Sequence, residues 1–107
     1  MAKIKYNPHT AEWETAGDDW VCQYNPHSEE WKYAPPGATA KYNPHNNDYE
    51  MAGPDWECQY NQQAGKYSYA PPNAVPKYNP HESRWELVGK DWECIYNPHR
   101  GEWRYAP

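Results

Sequence analysis

The anchor residues Tyr6, Tyr24, Tyr42, Tyr60, Tyr78 and Tyr96 stand 18 residues apart without exception, and asparagine follows each of them. So short a register limits the chain to small supersecondary units, each too small to bury a core alone and therefore obliged to pack against its neighbours. A second period of 36 residues lies on top of the first. Odd units read Lys-Tyr-Asn-Pro-His and continue into Gly-x-Asp-Trp, at Gly17–Trp20, Gly53–Trp56 and Gly89–Trp92. Even units place a cysteine two residues before the tyrosine (Cys22, Cys58, Cys94) and end in Tyr-Ala-Pro. The 107 residues are thus one repeat domain, 1–107, divided approximately as 1–36, 37–72 and 73–107, with nothing left over for a second domain.

Within a unit the residues alternate. Trp20, Cys22 and Tyr24 share one side of an extended segment, and Trp31 and Tyr33 share one side of the next. A period of two is the signature of strands. Pairing Tyr24 with Trp31 puts the aromatic rings on one face and leaves a four-residue loop from Pro26 to Glu29. Asparagine suits the first position of a type I turn and proline the second, so the six tetrapeptides beginning at the anchor tyrosines read as six hairpin turns. The residue closing each turn is Ala11, Glu29, Asn47, Gly65, Ser83 or Gly101. Three of these are Gly or Asn, as a left-handed position prefers. The same register sets Lys5 opposite Glu14, Lys41 opposite Glu50 and Lys77 opposite Glu86, three opposite-charge pairs expected on the outward face.

The apolar inventory limits what the core can be. Seven Trp and eleven Tyr stand against one Leu, two Ile, three Val and no Phe. The expected core is therefore aromatic, with ring N–H and O–H groups that need partners. The expected fold class is all-β: six 18-residue β-hairpins in three 36-residue repeats, closed with pseudo-threefold symmetry. Closure is argued from the end units, which are among the best copies, whereas an open array needs atypical polar caps. A β-trefoil-like monomer matches the hairpin count. The alternative is three four-stranded propeller blades that close only as a dimer.

The unit Tyr96-Asn-Pro-His-Arg-Gly101-Glu-Trp103-Arg-Tyr105 resembles the aromatic β-hairpin repeats of carbohydrate- and cell-wall-binding modules, which also combine an aromatic residue, a Gly-closed turn and a second aromatic. Trp92-Glu93-Cys94 followed by Trp103 is similar to the blades of small propeller lectins. The Asn-Pro-His turn belongs to neither pattern. The resemblance implies sugar binding.

Net charge of −5 opposes nucleic acid as a partner, because phosphate contacts need a basic field. No apolar run reaches the roughly 18 residues of a membrane span. The opening residues lack the apolar core of a secretory signal, so the expected location is cytoplasmic or non-classically released. The candidate ligand-binding pairs are Asp19 with Trp20, Asp55 with Trp56 and Asp91 with Trp92, joined by the turn histidines His9, His45 and His81. An indole packs on the apolar face of a pyranose while a carboxylate accepts from its hydroxyls. The structural reading of the same residues is that the tryptophans are core and the histidines solvated turn residues. Cys22, Cys58 and Cys94 contain no Cys-x-x-Cys and cannot all pair. They read as three small buried residues near a threefold axis, with a three-thiolate metal site as the sharper alternative.

No nucleophile motif, phosphate loop or carboxylate pair marks a catalytic centre, so no enzyme activity and no cofactor are expected. The expected function is multivalent carbohydrate binding through up to three equivalent shallow sites. The alternative is a structural or protein-interaction repeat scaffold, natural or engineered, acting as monomer or homodimer.

Overall fold

A computed structural model describes residues 2–107 and contains twelve strands of five residues each, with no helix among those residues. In chain order they are β1 (Lys3–Asn7), β2 (Glu12–Ala16), β3 (Val21–Asn25), β4 (Glu30–Ala34), β5 (Thr39–Asn43), β6 (Asp48–Ala52), β7 (Glu57–Asn61), β8 (Lys66–Ala70), β9 (Val75–Asn79), β10 (Arg84–Val88), β11 (Glu93–Asn97) and β12 (Glu102–Ala106). Consecutive strands pair antiparallel into hairpins one to six, each a separate two-stranded sheet. The aromatic register holds throughout: Tyr6 faces Trp13, Tyr24 faces Trp31, Tyr42 faces Tyr49, Tyr60 faces Tyr67, Tyr78 faces Trp85 and Tyr96 faces Trp103. The closing residue of every turn has positive φ, from 56° at Ser83 to 69° at Gly65. In four turns its amide returns to the turn asparagine, as in Ala11 N–H to the Asn7 carbonyl at 2.8 Å, and in the other two the preceding amide does so, Asn46 to Asn43 and Glu82 to Asn79, both at 3.3 Å.

Isolated hairpins are marginal in water, so the contacts between them decide the fold. The first strand of each hairpin lies against the second strand of the next, and successive second strands touch. That order runs from hairpin one to hairpin six, and β11 and β12 in turn touch β2. Among the described residues no backbone ladder joins one hairpin to another. The molecule measures 33 × 32 × 20 Å, a flattened shape.

The side chain that welds the hairpins is the turn asparagine. The largest fully buried side chains are Asn7, Asn43, Asn61, Asn79 and Asn97, and Asn25 is buried too. Each Nδ2 donates to a backbone carbonyl of the following hairpin: Asn7 to Trp31 at 2.9 Å, Asn25 to Tyr49 at 3.1 Å, Asn43 to Tyr67 at 3.0 Å, Asn61 to Trp85 at 3.3 Å and Asn79 to Trp103 at 2.9 Å. Asn97 donates to the Trp13 carbonyl at 2.9 Å, which ties the last hairpin to the first. Each Oδ1 accepts the backbone N–H two residues on, as from His9 at 3.0 Å. The amide therefore shapes its own turn and clamps the neighbouring hairpin, leaving its desolvation well compensated.

Two expectations need correction. The fully buried apolar residues are Ala16, Ala34, Ala52, Ala70, Val88 and Ala106, not the rings. The aromatic residues are half-buried or exposed, Tyr6 at 44%. Close packing of six thin hairpins leaves room only for small side chains where backbones meet, and the rings cover the seams. The second correction concerns the charged pairs. Lys5, Lys41 and Lys77 do stand opposite Glu14, Glu50 and Glu86, but they are half-buried and form no ion pair with one another; Glu86 instead meets Arg84 at 3.4 Å. Lys5 Nζ instead donates to the Asp18 and Trp20 carbonyls, both at 2.8 Å, and lies 5.7 Å from the Tyr33 ring centroid. Lys41 and Lys77 clamp their own Gly-x-Asp-Trp turns in the same manner. In even hairpins the clamp is Gln23, bonded to the Ala34 and Pro35 carbonyls, or Gln59, bonded to those of Ala70 and Pro71. The equivalent residue of hairpin six is Ile95.

The glutamates complete the odd-to-even seams. Glu14 accepts from Asn7 Nδ2 at 2.7 Å and from the Tyr33 backbone N–H at 3.3 Å, and Glu50 does the same with Asn43 and Tyr69. Across those seams Tyr33, Tyr69 and Tyr105 donate their hydroxyls to the carbonyls of Tyr6, Tyr42 and Tyr78 at 2.7–2.8 Å. Even-to-odd seams carry the asparagine bond, and between hairpins two and three and between six and one a ring stack, but none of these extra ties. The 36-residue period is thus a period of seam chemistry laid over a uniform hairpin. No helix of the described residues is long and apolar enough to cross a membrane.

Candidate functional site

The three Gly-x-Asp-Trp segments connect odd hairpins to even ones. In each, the Trp backbone N–H donates to the Gly carbonyl at 3.1 Å, a reverse turn that carries the indole back over the glycine. The glycine is required by contact. A Cβ on Gly17 would sit 2.5 Å from Trp20 Nε1, on Gly53 2.8 Å from Trp56 Cδ1, and on Gly89 2.4 Å from Trp92 Nε1. So placed, the three indoles meet one another. Ring centroids are 6.1 Å apart for Trp20–Trp56 and 5.9 Å for both Trp20–Trp92 and Trp56–Trp92, in edge-on or tilted contact. Such geometry suits the quadrupoles of aromatic rings.

The tryptophan cluster is part of the wall of a pocket of about 280 Å³ that draws residues from all six hairpins. Tyr33, Tyr69 and Tyr105 stand in its wall, and Thr15, Met51 and Leu87 at β2, β6 and β10 contribute too; Glu14, Glu86, Lys32 and Arg104 supply charge. A wider polar groove of about 590 Å³ spreads over hairpins two to four and shares Lys32, Tyr33, Met51 and Arg104 with the pocket. The groove lies where the middle repeat departs from its siblings. Ser68 occupies the position held by Lys32 and Arg104, and Tyr49 and Tyr67 replace tryptophan.

The polar groups divide into those already used and those still free. Both oxygens of Glu14 and of Glu50 are committed to the hairpin seams. Neither Lys32 nor Arg104 has an ion pair or side-chain hydrogen bond among the described residues. Two buried side-chain oxygens lack a protein partner, Thr15 Oγ1 and Ser28 Oγ. Thr15 lines the pocket and Ser28 lines the groove. Buried hydroxyls are ordinarily satisfied, so these two, with the cations and the Glu86 oxygen that no seam uses, are the groups positioned to bind something else. Burial pushes the phenols of Tyr33, Tyr69 and Tyr105 above their ordinary value, with the neighbouring thiol and glutamate acting in the same direction. They stay protonated and hold their hydroxyl bonds.

The structure places the sequence-predicted residues as follows. Trp20, Trp56 and Trp92 come together at one place instead of standing at three. Asp19, Asp55 and Asp91 are exposed beside them and make no hydrogen bond or ion pair among the described residues. His9, His45 and His81 are not in the pocket wall. His9 stacks on Trp31 at 3.8 Å and 9°, His45 on Tyr67 at 3.6 Å and 8°, and His81 on Trp103 at 3.9 Å and 11°. His27 and His99 do the same on Tyr49 and Trp13. Cys22, Cys58 and Cys94 are free thiols, half-buried opposite Tyr33, Tyr69 and Tyr105. Burial, and secondarily the nearby glutamates, push these thiols up. Among the described residues no group of three or more His, Cys, Asp or Glu could hold a metal ion, so the cysteines form no three-thiolate centre.

Sequence reasoning missed Lys32, Arg104 and Thr15. For Lys32 and Arg104 the signal was present at the second-strand position, which runs Glu14, Lys32, Glu50, Ser68, Glu86, Arg104 and alternates in charge except at Ser68; Thr15 had none. No family model, no curated protein and no solved structure matches this chain, so the site rests on its own geometry.

Proposed function

We propose that this chain is a non-enzymatic, lectin-like carbohydrate-binding protein whose principal site is the tryptophan-lined pocket. One observation carries the reading: three indoles from three repeats gather in a pocket whose free polar groups are a hydroxyl, two cations and one oxygen of Glu86. An apolar ring wall with a few convergent polar groups is what a saccharide requires. A pocket near the lower end of the ~300–1,000 Å³ ligand range accommodates one sugar ring, and the adjoining groove offers Ser28 and Lys32 to a second. The reading implies one principal site per chain, with the exposed Asp19, Asp55 and Asp91 at its margin.

The reading also takes the six hairpins as one closed pseudo-threefold unit, trefoil-like in hairpin count. The contacts of hairpin six with hairpin one support a monomer over propeller blades completed by a second chain. A solution mass of one chain is expected.

The test is a glycan screen followed by titration calorimetry on the strongest hit. Stoichiometry near one is expected, with a loss of at least tenfold for Thr15→Val and for Arg104→Met. Both variants spare the groups that hold the fold. Wild-type affinity in both would sink the assignment. A stoichiometry of three would restore three separate Asp-Trp sites. A second reading, a structural or interaction scaffold, draws on the fact that the turn Asn of every unit and five turn His serve the seams, while the Lys and Gln clamps hold the linkers. A blank screen from folded protein would favour it.

A further inference from the structure

Five of the six seams close with an imidazole lying flat on an aromatic ring, at centroid separations of 3.6–4.1 Å and interplanar angles of 7–12°. The seam between hairpins four and five is the exception. Gln63 stands where the histidine would be, and the facing residue is Trp85. The turn itself keeps its course. Asn61 Oδ1 still accepts from the Gln63 backbone N–H at 3.1 Å, Gly65 keeps φ of 69°, and Asn61 Nδ2 still reaches the Trp85 carbonyl. That last bond, at 3.3 Å, is the longest of the six equivalents. The cradle is therefore built as in the other seams, and only the ring is missing from the sequence.

Trp85 is the one tryptophan of the four in this slot that is exposed, at 37%. Its aromatic neighbour is Tyr78, tilted at 51° on its own hairpin, which leaves the opposite face of the indole without a stacked ring. The side-chain amides of Gln62 and Gln63 make no hydrogen bond among the described residues, and both are exposed. An amide offers a donor and an acceptor, the complement of a ring carrying N–H and a bare nitrogen.

We propose that this seam binds an external planar nitrogen heterocycle of the imidazole class, stacked on Trp85 and hydrogen-bonded by Gln62 or Gln63. The molecule itself supplies the template for the occupant, since the other five seams hold that ring at van der Waals distance. The site is separate from the pocket proposed to bind saccharide and does not rest on it. The ring could belong to a free small molecule or to a histidine of a partner polypeptide.

The experiment follows the seven indole N–H resonances of the intact protein, with Trp85 assigned through Trp85→Tyr, a substitution the same slot carries at Tyr49 and Tyr67. Imidazole and N-acetyl-histidine amide are titrated separately. A ring of so few atoms is expected to bind only on the order of millimolar. The expected result is a saturable shift of the Trp85 resonance with the other six unmoved. Gln63→His should weaken it at least tenfold, because the protein's own imidazole then fills the cradle. Tenfold tighter binding of the histidine derivative than of imidazole assigns the ring to a polypeptide, and equal affinity assigns it to a free heterocycle. No saturable shift up to about 100 mM, or an equal shift in Gln63→His, overturns the proposal. So would a response to methyl glucoside with none to imidazole.

Discussion

Replacing Asn43 by alanine tests whether the turn asparagine is a solvated turn former or an internal bolt. The side chain is fully buried and makes three bonds: Nδ2 to Glu50 Oε2 at 2.9 Å, Nδ2 to the Tyr67 carbonyl at 3.0 Å, and Oδ1 from the His45 N–H at 3.0 Å. Truncation strands a carbonyl and an amide where water has little access, and frees a carboxylate oxygen. Each buried group left unpaired costs ~1–3 kcal/mol. Allowing for relaxation, Asn43→Ala should lose about 2–4 kcal/mol, a large part of the ~5–15 kcal/mol that holds a domain folded. At ~4–8 °C per kcal/mol for a domain near this size, the melting temperature should fall by about 8–32 °C.

Asn25 provides the internal control. It bonds the Tyr49 carbonyl and its own turn but touches no carboxylate. Asn25→Ala should therefore lose less than Asn43→Ala, by about 1 kcal/mol, the net value of the hydrogen bond to Glu50. Urea melts of the three proteins, followed by tryptophan fluorescence and by circular dichroism, give the comparison directly. A loss under about 0.5 kcal/mol for Asn43→Ala is what a surface turn residue would show, and it would refute the argument that these amides join the hairpins.

Further outcomes are expected. Gly89→Ala drives a methyl to within 2.4 Å of Trp92 Nε1 and should lose about 1–3 kcal/mol, as overpacking does, with a changed near-ultraviolet spectrum. Gly65→Ala meets nothing within 4 Å and should leave that spectrum intact, so identical spectra for both variants would contradict the indole contact. Alkaline pH should destabilise the protein. The folded state holds the thiols of Cys22, Cys58 and Cys94 and the phenols of Tyr33, Tyr69 and Tyr105 above their ordinary values of 9.0 and 10.0, so the unfolded chain gives up those protons first. Stability should be level near neutrality and fall as pH rises past 9.0. Stability that stays constant or increases from there would contradict the burial of these groups.

Much of the fold is a local matter in this chain. Alternation of Trp20, Cys22 and Tyr24, a proline after the turn asparagine, and an 18-residue spacing are instructions that neighbouring residues carry out between themselves, and they yield strands, turns and register. The positive φ of Ala11, Glu29 and Ser83 follows from loop length even where the residue type disfavours it, since a four-residue loop with this hydrogen bonding has no other way to close. Asn61 carried a readable hint: it persists in the degraded Tyr60-Asn61-Gln62-Gln63 turn after proline and histidine have gone. A turn alone tolerates other residues, so that persistence marks a second role.

What a side chain does beyond its own hairpin was decided only by assembly. Alternation gave Lys5 and Glu14 a shared face, but assembly turns Lys5 to the carbonyls of the linker and Glu14 to the Tyr33 amide of the next hairpin instead of to each other. The three Gly-x-Asp-Trp segments are separated by 36 residues and look like three sites; they become one pocket wall because the repeats set their linkers side by side. Trp85 and Gln63 lie 22 residues apart on different hairpins, and neither is unusual alone. Period and alternation are one-dimensional quantities that fix local geometry, whereas a pocket depends on which surfaces the hairpins bury against one another, and that is settled by the packing of all six at once.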